Sequence, residues 1–380
     1  MLMMTMLSRM NNTKQWITAL ALLLLLAACG DDPPAPTIAG EYPAADEAEI
    51  TRELIALTKE AALLAIDEAL EDDRSATGTL RFNQPKSVAC LKADFSVEAD
   101  LPAELRVGLF ANPQSYPAWI RFANASNKPD TEKDFRGMSI KLMQVEGDKL
   151  WAPDAGPGDT QDFILNNHPV LFVGTPEDFR DFADYSVNSS PILFFMNPFN
   201  LHIKEFRIVL AGRRHHASHL AIPYWSTTPY LFGDGRAVKY SARLCEQGPA
   251  MELPDELTDG YLRDAIRQQL SNGDACFDFM VQFQTDAELM PIEDATVEWD
   301  ETESPFRKVA RIHIPSQSFE SPAQMKFCEN LSFNPWRSLP EHRPLGGINR
   351  VRNDLYRELA EFRHRRNGVT YKEPSADESF

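Results

Sequence analysis

The sequence predicts an α+β fold in which an antiparallel sheet or β-barrel is flanked by helices. Short β-rich runs separated by turn residues follow one another from Gly78 to about Val173, a pattern typical of antiparallel sheets. Further β-rich runs alternate with helical segments in the second half of the chain, and no internal repeat is visible. Many strands combined with late helices favour one α+β domain. With 43% hydrophobic residues among 380, the chain can bury a large core.

The first predicted element is a helix from about Asp46 to Glu71, where apolar residues recur at three- and four-residue spacing. We interpret it as a packing helix. The β-rich runs of the first half are Ala93–Val97, Ala118–Ala123, Met138–Val145, Phe163–Asn167 and Val170–Val173. The β-rich runs of the second half are Tyr224–Tyr230, Ala237–Ala242, Phe277–Gln284 and Val309–Pro315. The later predicted helices are Pro176–Tyr185, Asp255–Leu270 and Asn349–Arg363.

The N-terminus predicts export as a lipoprotein. Arg9 and Lys14 precede an apolar run, ITALALLLLLAA, that is too short to span a bilayer comfortably and has the length of a signal-peptide core. The run ends in Leu-Ala-Ala-Cys, which matches the bacterial lipobox and makes Cys29 the predicted lipidation site. We expect an exported lipoprotein, anchored on the periplasmic side of the cell envelope. Gly30, in place of the aspartate usual for inner-membrane retention, favours the outer membrane.

Four segments follow from these patterns. Residues 1–28 are the predicted signal peptide, and residues 29–44 are the lipidated cysteine with a mobile Pro-rich tether. Residues 45–370 form the predicted folded domain, and residues 371–380 form a C-terminal tail. The alternative for the N-terminus is an uncleaved anchor or ordinary secretion.

The formal net charge of −18 argues against nucleic acid and against an anionic membrane surface as partners, because an acidic surface releases no counterions from either. Membrane contact is therefore expected through the N-terminal lipid only, and local basic clusters stand out. No CxxC spacing occurs among the cysteines after the signal peptide, so we expect zero or one disulfide and no metal site among them. These cysteines are Cys90, Cys245, Cys276, Cys328 and the lipidation candidate Cys29.

The stretch from Tyr116 to Phe179 carries the most functional information. It contains YPAWIRFANAS, then DFRGMSIKL, then TQDFILNNHPVLFVGTPEDF. Their order and spacing resemble the core of the haem catalase family, where an Arg-Phe strand, an Arg-Gly strand and an Asn-Asn-x-Pro-x-Phe strand wall the distal side of the haem. The resemblance implies an antiparallel β-barrel core of catalase-like type, bound haem b, and a C-terminal helix that carries the proximal tyrosine.

The last predicted helix supplies the second half of the resemblance. Arg352 and Tyr356 keep the Arg-x-x-x-Tyr spacing of the family's proximal helix, so the resemblance implies that Tyr356 is the iron ligand. Residues four apart share a helix face, and the guanidinium can therefore reach the phenolic oxygen. A tyrosine stays ionised at neutral pH only if its pKa is lowered by about three units, which corresponds to roughly 4 kcal/mol of stabilisation. Fe³⁺ and an adjacent arginine can supply this stabilisation.

The resemblance also implies groups around the rest of the haem. Arg81 and Arg121 occupy positions where catalases hold the propionates, and Arg365, in the basic run after Tyr356, is a third propionate candidate. That run could equally be a solvated basic helix end. The distal asparagine of the family corresponds to Asn166 or to its neighbour Asn167, and only one of the two can point inward. Phe179 and Leu171 fall where the family packs phenylalanines around the ring.

The largest departure from the family is the missing distal histidine. The family pattern RxxHxK reads Arg81-Phe82-Asn83-Gln84-Pro85-Lys86, and no histidine precedes His168. The serine that orients the family's histidine is also absent, since its position holds Ala123. A glutamine amide can hydrogen-bond a ligand but does not titrate. It cannot shuttle a peroxide proton, a role worth roughly 10²- to 10⁴-fold in rate.

A weaker constellation is the HHxxH cluster of His215, His216 and His219 beside two arginines. It could bind a metal, but we interpret it as a surface or loop patch.

Three functions remain open at this stage. The first is a haem-binding, catalase-like enzyme of the envelope, which acts on peroxide or organic hydroperoxide and dismutes hydrogen peroxide weakly, with Gln84 and one of Asn166 and Asn167 on the distal side. The second is a non-enzymatic haem-binding or sensing lipoprotein. The third is a haem-free, catalase-shaped interaction protein. A homo-oligomer is compatible with all three.

Overall fold

The computed structural model describes residues 35–71, 78–151, 158–245 and 251–380, with the side chains of the first range described up to residue 66. The predicted signal peptide, Cys29 and the first residues of the tether lie outside the described residues. Residues Ile38–Phe380 belong to one unit by their internal contacts. Within the described part of the chain, no helix has both the length and the apolar character needed to cross a membrane.

The described elements are strands and helices, and the helices Pro191–Phe195, Ile203–Gly212 and Pro322–Asn330 are not among those that the sequence predicts. The strands are β1 Lys86–Val97, β2 Ser115–Asn124, β3 Arg136–Leu142, β4 Gln161–Asn166, β5 Tyr224–Trp225, β6 Tyr230–Leu231, β7 Ala237–Leu244, β8 Ala275–Phe283 and β9 Arg307–Ile314. The helices are α1 Glu47–Glu71, α2 Pro176–Asn188, α3 Pro191–Phe195, α4 Ile203–Gly212, α5 Tyr261–Asn272, α6 Pro322–Asn330 and α7 Gly347–Arg366.

Eight of these strands close into an antiparallel barrel. The order is β5-β4-β3-β2-β1-β9-β8-β7, and β5 also pairs with β7, through Trp225 opposite Ser241, which joins the two edges. The short strand β6 pairs with the start of β7. Closure leaves no open sheet edge along the long strands. The predicted α+β class with an antiparallel barrel and flanking helices is confirmed.

Several predicted boundaries differ from the structure. The run Tyr224–Tyr230 is two short strands rather than one, because Thr227 adopts a positive φ of 62° that breaks the extended backbone. The run Val170–Val173 is not a strand. Strand β1 starts at Lys86, well before the predicted Ala93, because its first half also pairs with β2.

Aromatic side chains fill the barrel interior. Phe163 lies with its ring centroid 4.9 Å from that of Phe279 and 5.1 Å from that of Tyr240, and Phe95 lies 5.1 Å from Phe279. All four are buried. Because this packing occupies the interior, a ligand site has to lie on the outer face of the barrel, under the helices.

The outer face of β3 and β4 carries a buried network of charges. Lys141 Nζ lies 2.7 Å from Asp162 and 3.2 Å from Glu373, and Arg337 lies 2.5 Å from Asp162 and 2.8 Å from Glu373. All four side chains are at most 1% exposed. Glu373 comes from the segment 371–380, which the sequence interpretation treats as a tail. The segment is instead docked on the barrel, because the two cations need its carboxylate.

Helix α7 is held from its first turn by a second charged cluster. Arg350 lies 2.8 Å from Glu41, 2.7 Å from Glu47 and 2.9 Å from Glu293. Gly346, just before the helix, has a φ of 84°, and a side chain there would collide with a backbone carbonyl. Because Glu41 belongs to the predicted tether, the folded domain begins near residue 38 rather than at 45.

One disulfide, Cys245–Cys276, joins the end of β7 to the start of β8. Cys90 and Cys328 are free and buried. The expectation of at most one bridge therefore fits the described cysteines.

We predict that Glu373→Ala lowers the free energy of unfolding by about 3–5 kcal/mol, because Lys141 and Arg337 would share Asp162 alone in a buried site. Urea unfolding followed by circular dichroism measures the change. Asp377→Ala, which removes an exposed carboxylate from the same segment, is the control. A loss below about 1 kcal/mol, the scale of a surface pair, would contradict the role of Glu373 as the anchor.

Candidate ligand site between the barrel and the last helix

Two adjoining cavities lie between the outer face of the barrel and α7. The smaller has a volume of about 90 Å³ and the larger of about 510 Å³. Phe82, Asn83 and Tyr356 line both cavities. The larger volume falls in the range of small-molecule pockets. The tyrosine of the predicted proximal helix therefore lies where the two cavities meet.

Three arginines line the smaller cavity. Arg81 and Arg363 both donate to main-chain carbonyls at the C-terminal end of α6. The distance to the Glu329 carbonyl is 2.8 Å from Arg81 and 2.6 Å from Arg363. Both also donate to the Leu331 carbonyl. Arg121 Nη2 donates to the Gln84 carbonyl at 3.0 Å. These bonds fix the guanidinium groups in place at one end of the site.

The charge of this arginine group is not balanced. The Glu329 carboxylate is 3.9 Å from Arg81 and 3.8 Å from Arg363, and the Nε atoms of Arg81 and Arg121 are buried without a hydrogen-bond partner. Burial and then the charges of Arg363 and Arg121 lower the pKa of the Arg81 guanidinium. Three buried cations with unused donors are suited to an anionic group, carboxylates above all.

Arg365, the third propionate candidate of the sequence analysis, is not brought to either cavity. Its side chain is 64% exposed and lies 3.4 Å from Glu361. The basic residue of the run that reaches the cavity is Arg363. The reason is helical periodicity: position 363 lies about two turns after Tyr356 and on its face, whereas position 365 points to the opposite side. Counting from Tyr356 in the sequence would have found Arg363.

The larger cavity has apolar walls. Leu171, Phe172 and Val173 form one wall, in the run that the sequence analysis took for a strand. Phe179 of α2 lies in the lining, as expected. The remaining apolar lining comes mainly from α2, α3 and α4, two of which the sequence analysis did not predict, and includes Phe182, Pro191, Ile192, Phe195, Phe206 and Val209.

Gln84 is built into the outer face of the barrel. Its Nε2 donates to Asn166 Oδ1 at 2.7 Å, and its backbone has an uncommon positive φ of 56°. Its amide lies against β3 at Gly137, where an added side-chain carbon would come within 2.0 Å of it. Ala123, Gly137 and Asn166 are opposite one another across β2, β3 and β4. Gln84 and Ala123, the two departures from the family pattern, therefore lie in one place.

The structure decides which of the two asparagines faces the site. Asn166 lines the larger cavity and accepts from Gln84. Asn167 points the other way: its Oδ1 accepts from the Arg136 backbone at 2.8 Å and its Nδ2 donates to the Gly212 carbonyl at 3.1 Å. Successive side chains of a strand alternate between faces, so only one of the pair can reach the cavity.

Tyr356 and Arg352 lie on one face of α7, as their spacing predicts. The guanidinium carbon of Arg352 is 5.9 Å from the centroid of the Tyr356 ring. Arg352 Nη1 donates to Thr228 at 3.1 Å and to Asn349 at 3.2 Å, and these two bonds hold its positive charge beside the ring. The Nδ2 atom of Asn83 lies 3.4 Å from the hydroxyl oxygen of Tyr356.

His215 and His216 lie in a loop and are partly exposed, as the interpretation of a surface or loop patch expects, but His219 departs from it. His219 is buried and hydrogen-bonds Tyr224 at 2.9 Å, while His216 contacts Asn167 at 3.0 Å. Burial and then the charge of Arg136 lower the pKa of both histidines, that of His216 to about 4. Neither histidine lines the two cavities around Tyr356.

Together, the two cavities suit a ligand with an anionic end and a broad apolar body. The arginine group lies at one end, the apolar lining at the other, and the phenol of Tyr356 between them. Phe82 and Asn83 stand at the junction, so a single ligand that fills both cavities requires these two side chains to move aside. They belong to the same short loop as Gln84. Haem fits this donor set, because its two propionates are anionic and its ring is flat and apolar.

Comparison with known proteins supports the fold. The sequence matches no family model and no curated protein. Three similar solved structures are a bacterial catalase, catalase A from Saccharomyces cerevisiae and a fungal catalase. The bacterial catalase has a TM-score of 0.58 and 15% identity, over 80% of this chain and 60% of that chain. The yeast enzyme has a TM-score of 0.60 and 18% identity, over 89% and 68%.

The fungal catalase has a TM-score of 0.61 and 16% identity, over 90% of this chain and 70% of that chain. The chain thus spans 60% of the length of the bacterial catalase and about two thirds of the other two. At these identities the likeness concerns the fold alone. The chain has a catalase-like fold.

Proposed function

We propose that this protein is a haem-binding, catalase-related protein of the cell envelope that acts on peroxides. The observation that carries the proposal is the meeting of the arginine-lined and the apolar cavity at Tyr356. The catalase-like fold supports it. Its distal side lacks a titratable group at Gln84, so we expect weak dismutation of hydrogen peroxide.

Each group of the site would have a separate task in holding haem b. Arg81, Arg121 and Arg363 would hold the propionates, and Tyr356 would bind the iron. The charge of Arg352 beside the ring favours the ionised phenol. The apolar lining, Phe179 included, would cover the ring and exclude water. Bound haem would supply a ferric iron able to bind and polarise a peroxide.

The distal side can position a ligand but cannot move its proton. The amide groups of Gln84 and Asn166 are hydrogen-bonded to each other at 2.7 Å, and neither titrates in the physiological range. His168 is not among the residues that line the two cavities. Without a proton acceptor, heterolysis of hydrogen peroxide loses general acid–base assistance. An organic hydroperoxide that needs less of that assistance is the alternative substrate class.

Two rival functions keep some support. The Asn83–Tyr356 contact, at 3.4 Å, and the hydrogen bonds of Arg81 and Arg363 to α6 satisfy part of the site without a ligand. This favours a haem-free interaction protein. Retained binding groups without a proton shuttle favour a haem carrier or sensor. Haem uptake separates the first rival from the proposal, and peroxide turnover separates the second.

We also propose that the mature protein is anchored in the envelope by acylation of Cys29, most consistently in the outer membrane. The support is the sequence pattern of an apolar run closed by Leu-Ala-Ala-Cys and followed by a Pro-rich segment. The anchor would tether the barrel at the membrane surface through about ten residues.

We predict that Tyr356→Phe loses haemin uptake or shifts the haem spectrum strongly, because the ferric ligand is removed while the cavities stay intact. Titration of purified protein with haemin, followed by absorption, measures it. Unchanged haem content and spectrum in the variant would exclude Tyr356 as the ligand. No uptake by the unaltered protein would favour the haem-free rival.

Arg363→Ala and Arg365→Ala are matched controls for this titration. We expect Arg363→Ala to weaken haemin binding by about tenfold or more, the worth of one hydrogen bond to a charged group, and Arg365→Ala to leave it unchanged. Thermal melting of the haem-free variants tests whether Arg363→Ala acts through folding instead.

We predict that hydrogen peroxide dismutation is about 10²-fold or more slower than in an ordinary catalase, the scale of one missing acid–base group. The pair Gln84→His and Ala123→Ser should raise turnover by more than the product of the two single effects, since neighbouring residues couple. Oxygen evolution by the unaltered protein, the two single variants and the double variant measures both effects. Gln114→His, which adds a histidine at an exposed position, controls for a histidine as such. Turnover of the unaltered protein equal to that of catalases would refute this account of the distal side.

We predict that Cys29→Ser prevents palmitate incorporation and releases the protein from membranes after a carbonate wash, which strips proteins held by peripheral contacts alone. Fractionation of cells that express each form, with labelled palmitate, measures both effects. If the unaltered protein takes up no palmitate and the variant stays with washed membranes, the lipid-anchor proposal is wrong.

A further inference from the structure

The segment from Pro191 to Leu210, which includes α3 and α4, exposes an unusual amount of apolar surface. Phe199 is 98% exposed, and the others are between 43% and 65% exposed. Large apolar side chains that are exposed so close together along a folded chain are typical of a surface that contacts an apolar partner. We call these side chains the apolar surface. They are Ile192, Leu193, Met196, Phe199, Leu201, Ile203 and Leu210.

The apolar surface adjoins the larger cavity. Phe195 of α3 and Phe206 and Val209 of α4 line that cavity, while Leu193 and Leu210 of the same helices face outward. Ile192 belongs to both the lining and the exposed set. Helices that are apolar on two sides cannot bury both against the barrel. One face packs inward and the other is exposed.

The charge of the segment is opposite to that of the whole protein. Residues 191–216 contain Lys204, Arg207, Arg213 and Arg214 against Glu205 as the one acid, a side-chain balance of 4 − 1 = +3, in a chain of net charge −18. Arg207 and Arg214 are exposed. Lys204 lies 3.8 Å from Asp294, and Arg213 donates to the Lys133 carbonyl at 2.9 Å, so Arg207 and Arg214 are the basic residues that face solvent in this segment without either contact.

We infer that the apolar surface docks on an anionic lipid bilayer. Exposed aromatic and aliphatic side chains with basic residues at their margin are the chemistry that enters the boundary between acyl chains and headgroups. Each basic residue near an anionic leaflet adds attraction of about 1 kcal/mol. The overall negative charge would favour the orientation in which this basic segment, rather than acidic residues elsewhere in the chain, meets the bilayer.

A second copy of this chain is a poorer occupant. In a two-fold dimer the same patch meets itself, so the four basic residues of one protomer would lie near those of the other. Like charges at such a contact oppose association. A bilayer rich in anionic headgroups instead neutralises them. Docking would also bring the apolar wall of the larger cavity close to the acyl chains.

The test compares two fluorescent probes on the full chain. A bimane group is attached at Phe199→Cys or at Leu289→Cys, both in the Cys29→Ser chain, where the other described cysteines are buried or disulfide-bonded. Leu289 is a matched control, since it is also apolar and 67% exposed but lies outside the apolar surface. Vesicles of phosphatidylethanolamine and phosphatidylglycerol carry brominated acyl chains, which quench probes that enter the bilayer.

We expect the Phe199 probe to shift to shorter wavelength and lose most of its fluorescence on these vesicles, while the Leu289 probe is unchanged. Arg207→Glu with Arg214→Glu, or vesicles without phosphatidylglycerol, should remove the effect. Equal quenching of both probes, or of neither, would overturn the inference. A Phe199 probe that is shielded without vesicles, in a chain that sediments as a dimer, would assign the surface to a second copy. Haem plays no part in this readout, so the result stands apart from the proposed function.

Discussion

The buried charges on the outer face of the barrel constrain the rest of this structure. Lys141 and Asp162 point outward from adjacent strands, yet no part of their side chains reaches water. Charges in such a setting are tolerated only when they are fully paired. Arg337 and Glu373 complete the pairing, and the chain between them includes α7. Covering these charges therefore brings α7 and Tyr356 against the strands that carry Arg121 and Asn166.

The site separates ligand binding from proton transfer. Gln84 has a structural role, since its amide lies against Gly137, its Nε2 donates to Asn166 and its carbonyl accepts from Arg121. A glutamine amide supplies these hydrogen bonds but has no titratable nitrogen. The basic and apolar groups around the two cavities do not depend on that nitrogen. Affinity for a ligand can therefore persist where the rate of peroxide chemistry falls.

The distribution of charge and apolar surface gives the molecule two unlike sides. The chain as a whole has a net charge of −18, whereas residues 191–216 have a side-chain balance of +3 and expose large apolar side chains. The same helices build the outer wall of the larger cavity. A protein tethered near a membrane can use such asymmetry to select one orientation, because the bilayer attracts one side and repels the other. In the proposed orientation, access to the cavity and contact with the membrane would be properties of one segment.

The sequence by itself determined the class of the fold, the helix that carries Tyr356 and the absence of any histidine before His168, because periodicity, motif order and residue identity are local properties. It could not tell Asn166 from Asn167, nor Arg363 from Arg365, since both choices depend on which face of an element meets the barrel. It also missed α3, α4 and the docking of residues 371–380. The helical patterns of α3 and α4 are short, and the partners of residues 371–380, such as Lys141, lie far away in the chain. Only tertiary packing decides burial, and burial decides which charges are paired and which side chains line the site.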